Sequence, residues 1–313
     1  MDPTKNTPIR FDKVLLTTDF SSIWEKALPY AAAIVRHFGA TLYVMHVMAT
    51  EDYAHIPASE HTIALARMKQ EAERRIMAIL ATSHFQGIPH KIILGHGDVL
   101  AVLSRIVEDE DIDLIVTGTH GKHGLEKLFT GSMAEEIFRL ASVPVLAIGP
   151  EVEIDPQAEV RMQRILYATD FSPESGRAMR YAYALAKEYG AQLYFLHVVE
   201  DVWREPFSTR VSAEPFCRVQ LQEKGFSGIP KDIRPEFLVE FGMAEQLTLE
   251  VAEKRDVQLM VLSVPGTAHP ALTAHLPGPI AYNIVSHARC PVLGVRDKSE
   301  RVTNESTTAR SVA

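Results

Sequence analysis

Two stretches of the sequence are copies of one another and determine the fold. Residues 13–48 read KVLLTTDFSSIWEKALPYAAAIVRHFGATLYVMHVM, and residues 164–199 read RILYATDFSPESGRAMRYAYALAKEYGAQLYFLHVV. Aligned without gaps, 15 of the 36 positions are identical. The copies start about 150 residues apart, which is the length of a whole domain rather than of a solenoid repeat. The chain of 313 residues is therefore predicted to contain a duplicated domain.

Each copy alternates short apolar strands with helical segments. In the first copy an apolar run at 14–16 leads into Thr18-Asp19-Phe20-Ser21, and a helix follows that Gly39 is expected to end. Further strands are expected at 42–47, 91–94, 113–117 and 143–148, and in the second copy at 164–168, 192–198, 236–241, 257–262 and 291–295. Alternating strands and helices predict βαβ units, and nearly all-apolar strands predict helices on both faces. We therefore expect an α/β protein with two tandem, doubly wound, open five-stranded parallel sheets.

The chain divides into four expected segments. These are a first domain at 1–150, an acidic linker at 151–160 that contains Pro156, a second domain at 161–296 and a polar tail at 297–313. The small polar residues of the tail predict disorder.

The segment after strand two differs between the copies. In the first copy residues 59–85 have helical spacing, with a predicted core face of Ile63, Leu65, Met68, Ile76, Met77 and Leu80. In the second copy the same place is rich in proline and aromatic residues and is expected to be irregular, at Trp203, Pro206, Phe207, Pro215 and Phe216.

The composition excludes several classes of function. The net charge is -8, which argues against binding to nucleic acid or to anionic membranes. The N-terminus has no apolar core of a signal peptide, and no apolar run reaches 18 residues, so neither secretion nor a membrane span is expected. Cys217 and Cys290 form no C-x-x-C pair, so we expect a cytoplasmic protein without a disulfide framework, a structural zinc or another protein-bound metal site.

Ligands of open parallel sheets bind beyond the carboxyl ends of the strands. In the first copy that edge receives Thr18-Asp19 after strand one and Gly118-Thr119-His120-Gly121 after strand four, followed by Gly131-Ser132 at a helix start. Glycines allow close approach of the backbone, and a helix N-terminus offers free N–H donors, which suits phosphate. By spacing alone the same glycines also fit ordinary loop turns and a helix cap.

The combined pattern resembles the ATP-binding universal stress proteins. Gly118-x-x-Gly121, nine residues and Gly131-Ser132 are similar to the nucleotide motif of that family. The Thr-Asp-Phe-Ser stretch, His46-Val47 and the Ser-Val-Pro-Val-Leu stretch at 142–146 are similar to its flanks, and the resemblance covers 11–150 and 161–296. It implies an adenine-nucleotide α-hydrolase-like, Rossmann-like fold, with the final strands near the domain interface about a pseudo-twofold axis.

The resemblance also implies roles for matching residues. Asp19 would lie against the adenosine beside Thr18, Val47 would contact adenine through its backbone, and Gly118 would border the ribose. The phosphates would be held by Gly121, Gly131, Ser132 and the N–H of Met133, with Mg²⁺ bridging them. Two alternatives stay open: Asp19 as an N-cap of the first helix, and His120 either on phosphate or in solvent.

The second copy departs from this motif. Ser263 stands in place of Gly118, eleven residues separate Gly266 from Gly278, and Pro279 replaces the motif serine, which removes a hydroxyl and a backbone donor. We therefore predict no ATP site there, or a much weaker one.

The expected function is that of a cytoplasmic stress protein whose conformation or assembly responds to ATP in its first domain, with dimers as the expected assembly. The alternative is a scaffold or partner-binding protein without nucleotide, whose second domain holds another small ligand. An enzyme of the adenylyltransferase or ligase type is the weakest hypothesis, because strand one has neither S-G-G-x-D-S nor H-x-G-H. No catalytic residue is assigned, and slow ATP hydrolysis is the most activity expected.

Overall fold

The computed structural model describes residues 9–119, 133–154, 159–172, 175–200, 207–226, 233–264 and 278–296. The strands are β1 (Lys13–Thr18), β2 (Thr41–Ala49), β3 (His90–Gly97), β4 (Leu114–Gly118), β5 (Val145–Ile148), β6 (Arg164–Ala168), β7 (Gln192–Val199), β8 (Glu236–Phe241), β9 (Leu259–Val264) and β10 (Val292–Arg296). The helices are α1 (Ser22–Phe38), α2 (Thr50–Tyr53), α3 (His61–Leu80), α4 (Val99–Asp109), α5 (Met133–Leu140), α6 (Ser175–Tyr189), α7 (Phe207–Phe226), α8 (Ala244–Lys254) and α9 (Gly278–His287). We call β1–β5 with their helices the first half, and β6–β10 with theirs the second half.

The ten strands form one continuous sheet in the order β3-β2-β1-β4-β5-β10-β9-β6-β7-β8. Within each half the strands are parallel, and the halves meet where β5 pairs antiparallel with β10. Leu146 pairs with Leu293 at this junction. These two leucines are equivalent residues of the two halves, so a pseudo-twofold axis passes between them. The pairing also covers two apolar edge strands, which if exposed could pair with strands of other chains.

Helices cover both faces of the sheet, as the apolar strands predict. One face carries α1, α3, α6 and α7, which bury residues such as Trp24, Ile76 and Leu221 against it. The other face carries α4, α5, α8 and α9. The α/β class with doubly wound parallel sheets is therefore confirmed.

Helix α1 has well-defined ends. The Ser21 hydroxyl accepts a hydrogen bond of 3.2 Å from the Trp24 N–H and is the N-cap. Gly39 ends the helix with φ 65°, the left-handed conformation that favours glycine, as predicted. The alternative of Asp19 as the cap is wrong, because Ser21 lies at the correct position to reach the third N–H of the helix.

The structure overturns one prediction for the segments after the second strand and corrects another in part. Residues 207–226 form helix α7 with Pro215 inside it, because burial of Leu221 in the core stabilises a helix that local composition disfavours. In α3, Ile63 and Met77 are 59% and 53% exposed. The prediction is correct for Ile76 and Leu80, which are buried, and the buried face of α3 continues to Ala72 at the same spacing of four residues.

Close contacts join the two halves around the junction. Gly294 of β10 lies directly under the Phe138 ring of α5, and a Cβ there would lie 2.5 Å from that ring. The Arg296 guanidinium donates a hydrogen bond of 3.0 Å to the Leu140 carbonyl at the end of α5. Helix α5 of the first half therefore rests on the last strand of the second.

Among the helices of the described residues, none combines the length and apolar character that crossing a membrane requires. The predicted tail at 297–313 and Pro156 of the predicted linker lie outside the described residues.

Candidate functional site

The described candidate residues lie at the carboxyl edge of the first-half strands. Thr18 ends β1 and Asp19 follows it, Val47 lies near the end of β2, Gly118 ends β4, and Met133 begins α5. The other candidates lie outside the described residues: His120, Gly121, Gly131 and Ser132.

A compact turn leads from β1 into α1. The Thr18 hydroxyl accepts a hydrogen bond of 3.0 Å from the Phe20 N–H, and Asp19 Oδ1 accepts one of 2.9 Å from the Ser21 N–H. Phe20 takes φ 60°, an uncommon conformation for a residue with a side chain. The turn holds the Asp19 carboxylate exposed at the sheet edge.

His46 fixes this turn to the neighbouring strand. Its Nδ1 lies 2.9 Å from the Thr18 carbonyl oxygen, and its ring packs 4.5 Å from the Phe20 ring. The Arg75 guanidinium covers Phe20 at 4.0 Å from the ring centre. The interpretation of His46 as a hydrogen-bonded structural histidine is confirmed.

Val47 is the first residue of β2 beyond its ladder with β1. The last pair of that ladder is Thr18 with His46, and on its other side Val47 pairs with Gly95 of β3. The side chain of Val47 is buried. Its backbone therefore lies where β1 has already turned away, at the open edge of the sheet.

Gly118 brings the end of β4 against the first turn of α1. A Cβ at this position would lie 2.8 Å from the Trp24 Cα and 2.9 Å from the Ile23 carbonyl oxygen. Backbone atoms cannot move aside as a flexible side chain can. Gly118 is therefore required by packing, whatever else the loop after it does.

Three buried threonines line the strand ends of the first half. The Thr17 hydroxyl donates a hydrogen bond of 2.9 Å to the Thr117 hydroxyl across β1 and β4. Thr119, fully buried, bonds through its N–H and its hydroxyl to the Ile148 carbonyl of β5. We call Thr17, Thr117 and Thr119 the threonine floor. It makes this end of the core polar.

The second half repeats the turn but not the floor. Phe171 N–H bonds to the Thr169 hydroxyl at 3.1 Å, Ser172 N–H bonds to Asp170 Oδ1 at 2.9 Å, and His197 Nδ1 lies 2.9 Å from the Thr169 carbonyl. The turn is thus common to both halves and does not by itself identify a ligand site.

In the second half the floor is apolar. The sheet register places Ala168, Leu262 and Val264 at the positions of Thr17, Thr117 and Thr119. Ser263 stands at the position of Gly118. The two strand ends therefore differ in polarity beneath an identical turn.

The sequence arguments missed the threonine floor. Its signal is present in the duplicated stretch, where Thr17 of one copy aligns with Ala168 of the other. Thr117 and Leu262 lie outside that stretch, next to the aligned pair Gly118 and Ser263, and the register of β4 and β9 shows that they occupy equivalent positions beside β1 and β6.

Comparison with known proteins agrees with this architecture. The model of the universal stress protein family matches the chain twice, at residues 10–149 and 162–296. The chain therefore belongs to the universal stress protein family.

Individual relatives match one half or the whole chain. A universal stress protein of Mycolicibacterium smegmatis is 25% identical over 293 residues, covering 91% of this chain and 97% of its own. Universal stress protein A homolog 1 of Coxiella burnetii is 32% identical over 147 residues, covering 45% of this chain and 97% of its own. The crystal structure of a universal stress protein from Archaeoglobus fulgidus superposes with a TM-score of 0.69 at 20% identity, covering 92% of this chain and 99% of that one. This last likeness concerns the fold.

Proposed function

We propose that the first half binds ATP and that the second half does not. The observation that carries this proposal is the threonine floor, which is polar in the half that has the glycine motif and apolar in the half that has lost it. A polar floor suits a hydrated, charged ligand, whereas apolar side chains at a strand end favour a closed core.

The described residues suit the nucleoside end of the ligand. Asp19 presents an exposed carboxylate, an acceptor for ribose or base donors. Val47 offers backbone groups beyond the β1 ladder to the adenine edge. We assign the phosphates to Gly121, Gly131, Ser132 and the N–H of Met133, with Mg²⁺ held through the phosphates. When bound, Mg²⁺ would neutralise phosphate charge.

Nucleotide occupancy would then affect the arrangement of the halves. Of the proposed phosphate residues, Gly131 and Ser132 directly precede α5 in the sequence and Met133 is its first residue. Phe138 of the same helix packs on Gly294 of the second half. An ATP-dependent change at the start of α5 would therefore reach the junction of the halves. We propose that the protein is a cytoplasmic ATP-dependent conformational or assembly switch and that its chains form dimers, which sedimentation velocity with and without ATP measures.

Asp19 and Asp170 provide a matched pair for testing the assignment. Both accept the same hydrogen bond from the residue two positions ahead, so Ala removes an equal turn contact from each half. Calorimetric titration with ATP and Mg²⁺ should give about tenfold weaker binding or worse for Asp19→Ala, because a charged hydrogen bond is lost. Asp170→Ala should bind as the wild type does. Equal effects of the two variants would contradict the assignment.

The alternative of a partner-binding scaffold is favoured by one surface feature. Phe216 and Val219 lie one turn apart on α7 and are 67% and 47% exposed. If the protein binds no ATP under any condition and Phe216→Ser abolishes its self-association or partner binding, the scaffold function replaces the switch.

A further inference from the structure

A cleft at the other end of helix α1 lies apart from the strand ends described above. Its volume is about 720 Å³, and it lies between α1, residues 159–163 and Tyr189 at the end of α6. Arg36 of the cleft is 14 residues from the start of α1, a distance of roughly 20 Å along the helix. Sites for small organic ligands have volumes of roughly 300–1,000 Å³ and are common where two domains meet.

The α1 side of the cleft contains small apolar residues. Pro29, Ala33 and Arg36 follow each other at helical spacing on α1, so two small residues form a shelf beside a cation. Tyr189 also lines the cleft, and its ring stacks on His37 of α1 at 4.3 Å. Small side chains beside an aromatic ring accommodate a flat ring system.

The polar lining of the cleft is mainly basic. Arg36, His37, His84 and Arg161 line it together with the carboxylate of Glu159, and the His37 Nε2 lies 3.1 Å from the Glu188 carboxylate. The Arg161 Nε lies 4.0 Å from Glu159, a loose ion pair, in a chain whose net charge is -8. The Arg36 Nη2 donates to the Ser83 carbonyl at 3.0 Å, which uses one of the five N–H donors of a guanidinium.

We propose that this cleft is a binding site for a small organic anion with a flat, apolar body. The anionic group lies between Arg36 and Arg161, and the ring system packs against the α1 shelf and Tyr189. Because the ligand touches α1 of the first half, the connecting residues 159–163 and α6 of the second half, its binding stabilises their mutual arrangement. The proposal does not depend on ATP binding.

The test uses the full chain and two fluorescent probes without nucleotide. Anilinonaphthalene sulfonate carries a flat ring system and one negative charge, and N-phenylnaphthylamine has the same body without the charge. We expect saturable sulfonate binding, at least about tenfold weaker in Arg36→Ala and in Arg161→Ala. Arg74→Ala, which removes an exposed arginine paired with Glu71 outside the cleft, should bind as the wild type does. The uncharged probe should bind at least about tenfold more weakly than the sulfonate.

Filling the cleft with a large side chain distinguishes probe bound in the cleft from probe bound elsewhere on the protein. Ala33→Trp should remove one equivalent of sulfonate per chain while circular dichroism stays unchanged. If Ala33→Trp fails to fold, Arg161→Ala, which changes an exposed side chain, decides the question. The proposal would be overturned if both probes bound equally, or if the arginine variants bound the sulfonate as well as Arg74→Ala does. It would also be overturned if a folded Ala33→Trp variant still bound the sulfonate as the wild type does.

Discussion

The hydroxyls of Thr17 and Thr117 are hydrogen-bonded to each other at 2.9 Å in the interior of the first half, and their counterparts Ala168 and Leu262 cannot form such a bond. Both threonines are buried, at 7% and 3% exposure. A buried hydroxyl pair is maintained only if each partner satisfies the other, because an unpaired buried hydroxyl is costly. The Thr17–Thr117 hydrogen bond is therefore a chemical difference between the strand ends of the first half and those of the second half.

Removing one of these hydroxyls should cost more than removing both. Thr117→Val leaves the Thr17 hydroxyl buried without its acceptor, so the free energy of unfolding should fall by about 1–3 kcal/mol. Thr17→Val/Thr117→Val should be within about 1 kcal/mol of the wild type, since paired apolar groups of the same shape replace the bond. Urea unfolding of the single and double variants measures this. Purely additive effects would mean that the bond contributes nothing.

Gly149 should be indispensable for joining the halves. A Cβ at Gly149 would lie 2.1 Å from the Val285 carbonyl oxygen of α9, so Gly149→Ala should destabilise the protein by about 3 kcal/mol. Gly176→Ala is the control, because within the described residues nothing lies within 4 Å of its Cβ position. It should leave stability unchanged or raise it by up to about 1 kcal/mol. Equal melting temperatures of the two variants in thermal unfolding would contradict the close packing at Gly149.

The two thiols should differ in reactivity. Burial raises the pKa of Cys290 to about 12, and partial burial also raises the pKa of Cys217. A raised pKa leaves less thiolate, the reacting form, at about pH 8. Ellman's reagent should therefore modify Cys217 first and Cys290 only on unfolding. Cys217→Ser should eliminate the first phase, and a rapid reaction in that variant would show that Cys290 is accessible.

Alkaline pH should unfold the protein through its buried and half-buried tyrosines. Burial raises the pKa of Tyr30 to about 12 and raises the pKa values of Tyr167, Tyr183 and Tyr189 as well. Unfolded tyrosines ionise near pH 10, so the folded state holds these protons more tightly. Their contribution to stability is full below about pH 10 and declines as the pH rises, for Tyr30 up to about pH 12.

Tyrosinate absorbance tests this expectation directly. At least four of the nine tyrosines should ionise only together with the loss of helical circular dichroism. Ionisation of all nine near pH 10 with the fold intact would contradict the burial of these side chains.

The sequence predicts the strands well because their apolar runs are bounded by turn residues. It predicts α1 and its end at Gly39 for the same reason. It fails at α7, where Pro215 and the aromatic residues indicate loop but tertiary burial of Leu221 stabilises a helix. At the core face of α3 it is correct for Ile76 and Leu80 but not for Ile63 and Met77, because helical spacing alone does not say which of several apolar stripes faces the sheet.

The candidate site is only partly accessible to sequence reasoning. Asp19 and Gly118 are recognisable as motif residues, but the sequence does not indicate that Ser21 caps α1 or that Gly118 touches Trp24. The contact of Gly118 with Trp24 depends on the distance between β4 and α1, which no local pattern encodes. The pairing of Leu146 with Leu293 is likewise a property of the assembled sheet.

The central claim is one ATP site per chain, in the first half. The most direct measurement is the amount of adenine nucleotide bound at saturating ATP and Mg²⁺, by equilibrium dialysis followed by chromatography of the denatured protein. Gly131→Ala/Ser132→Ala is compared with its second-half counterpart Gly278→Ala/Pro279→Ala. We predict one nucleotide per wild-type chain, none in the first variant and one in the second. Two nucleotides per wild-type chain, or loss of nucleotide only in the second-half variant, would contradict the claim.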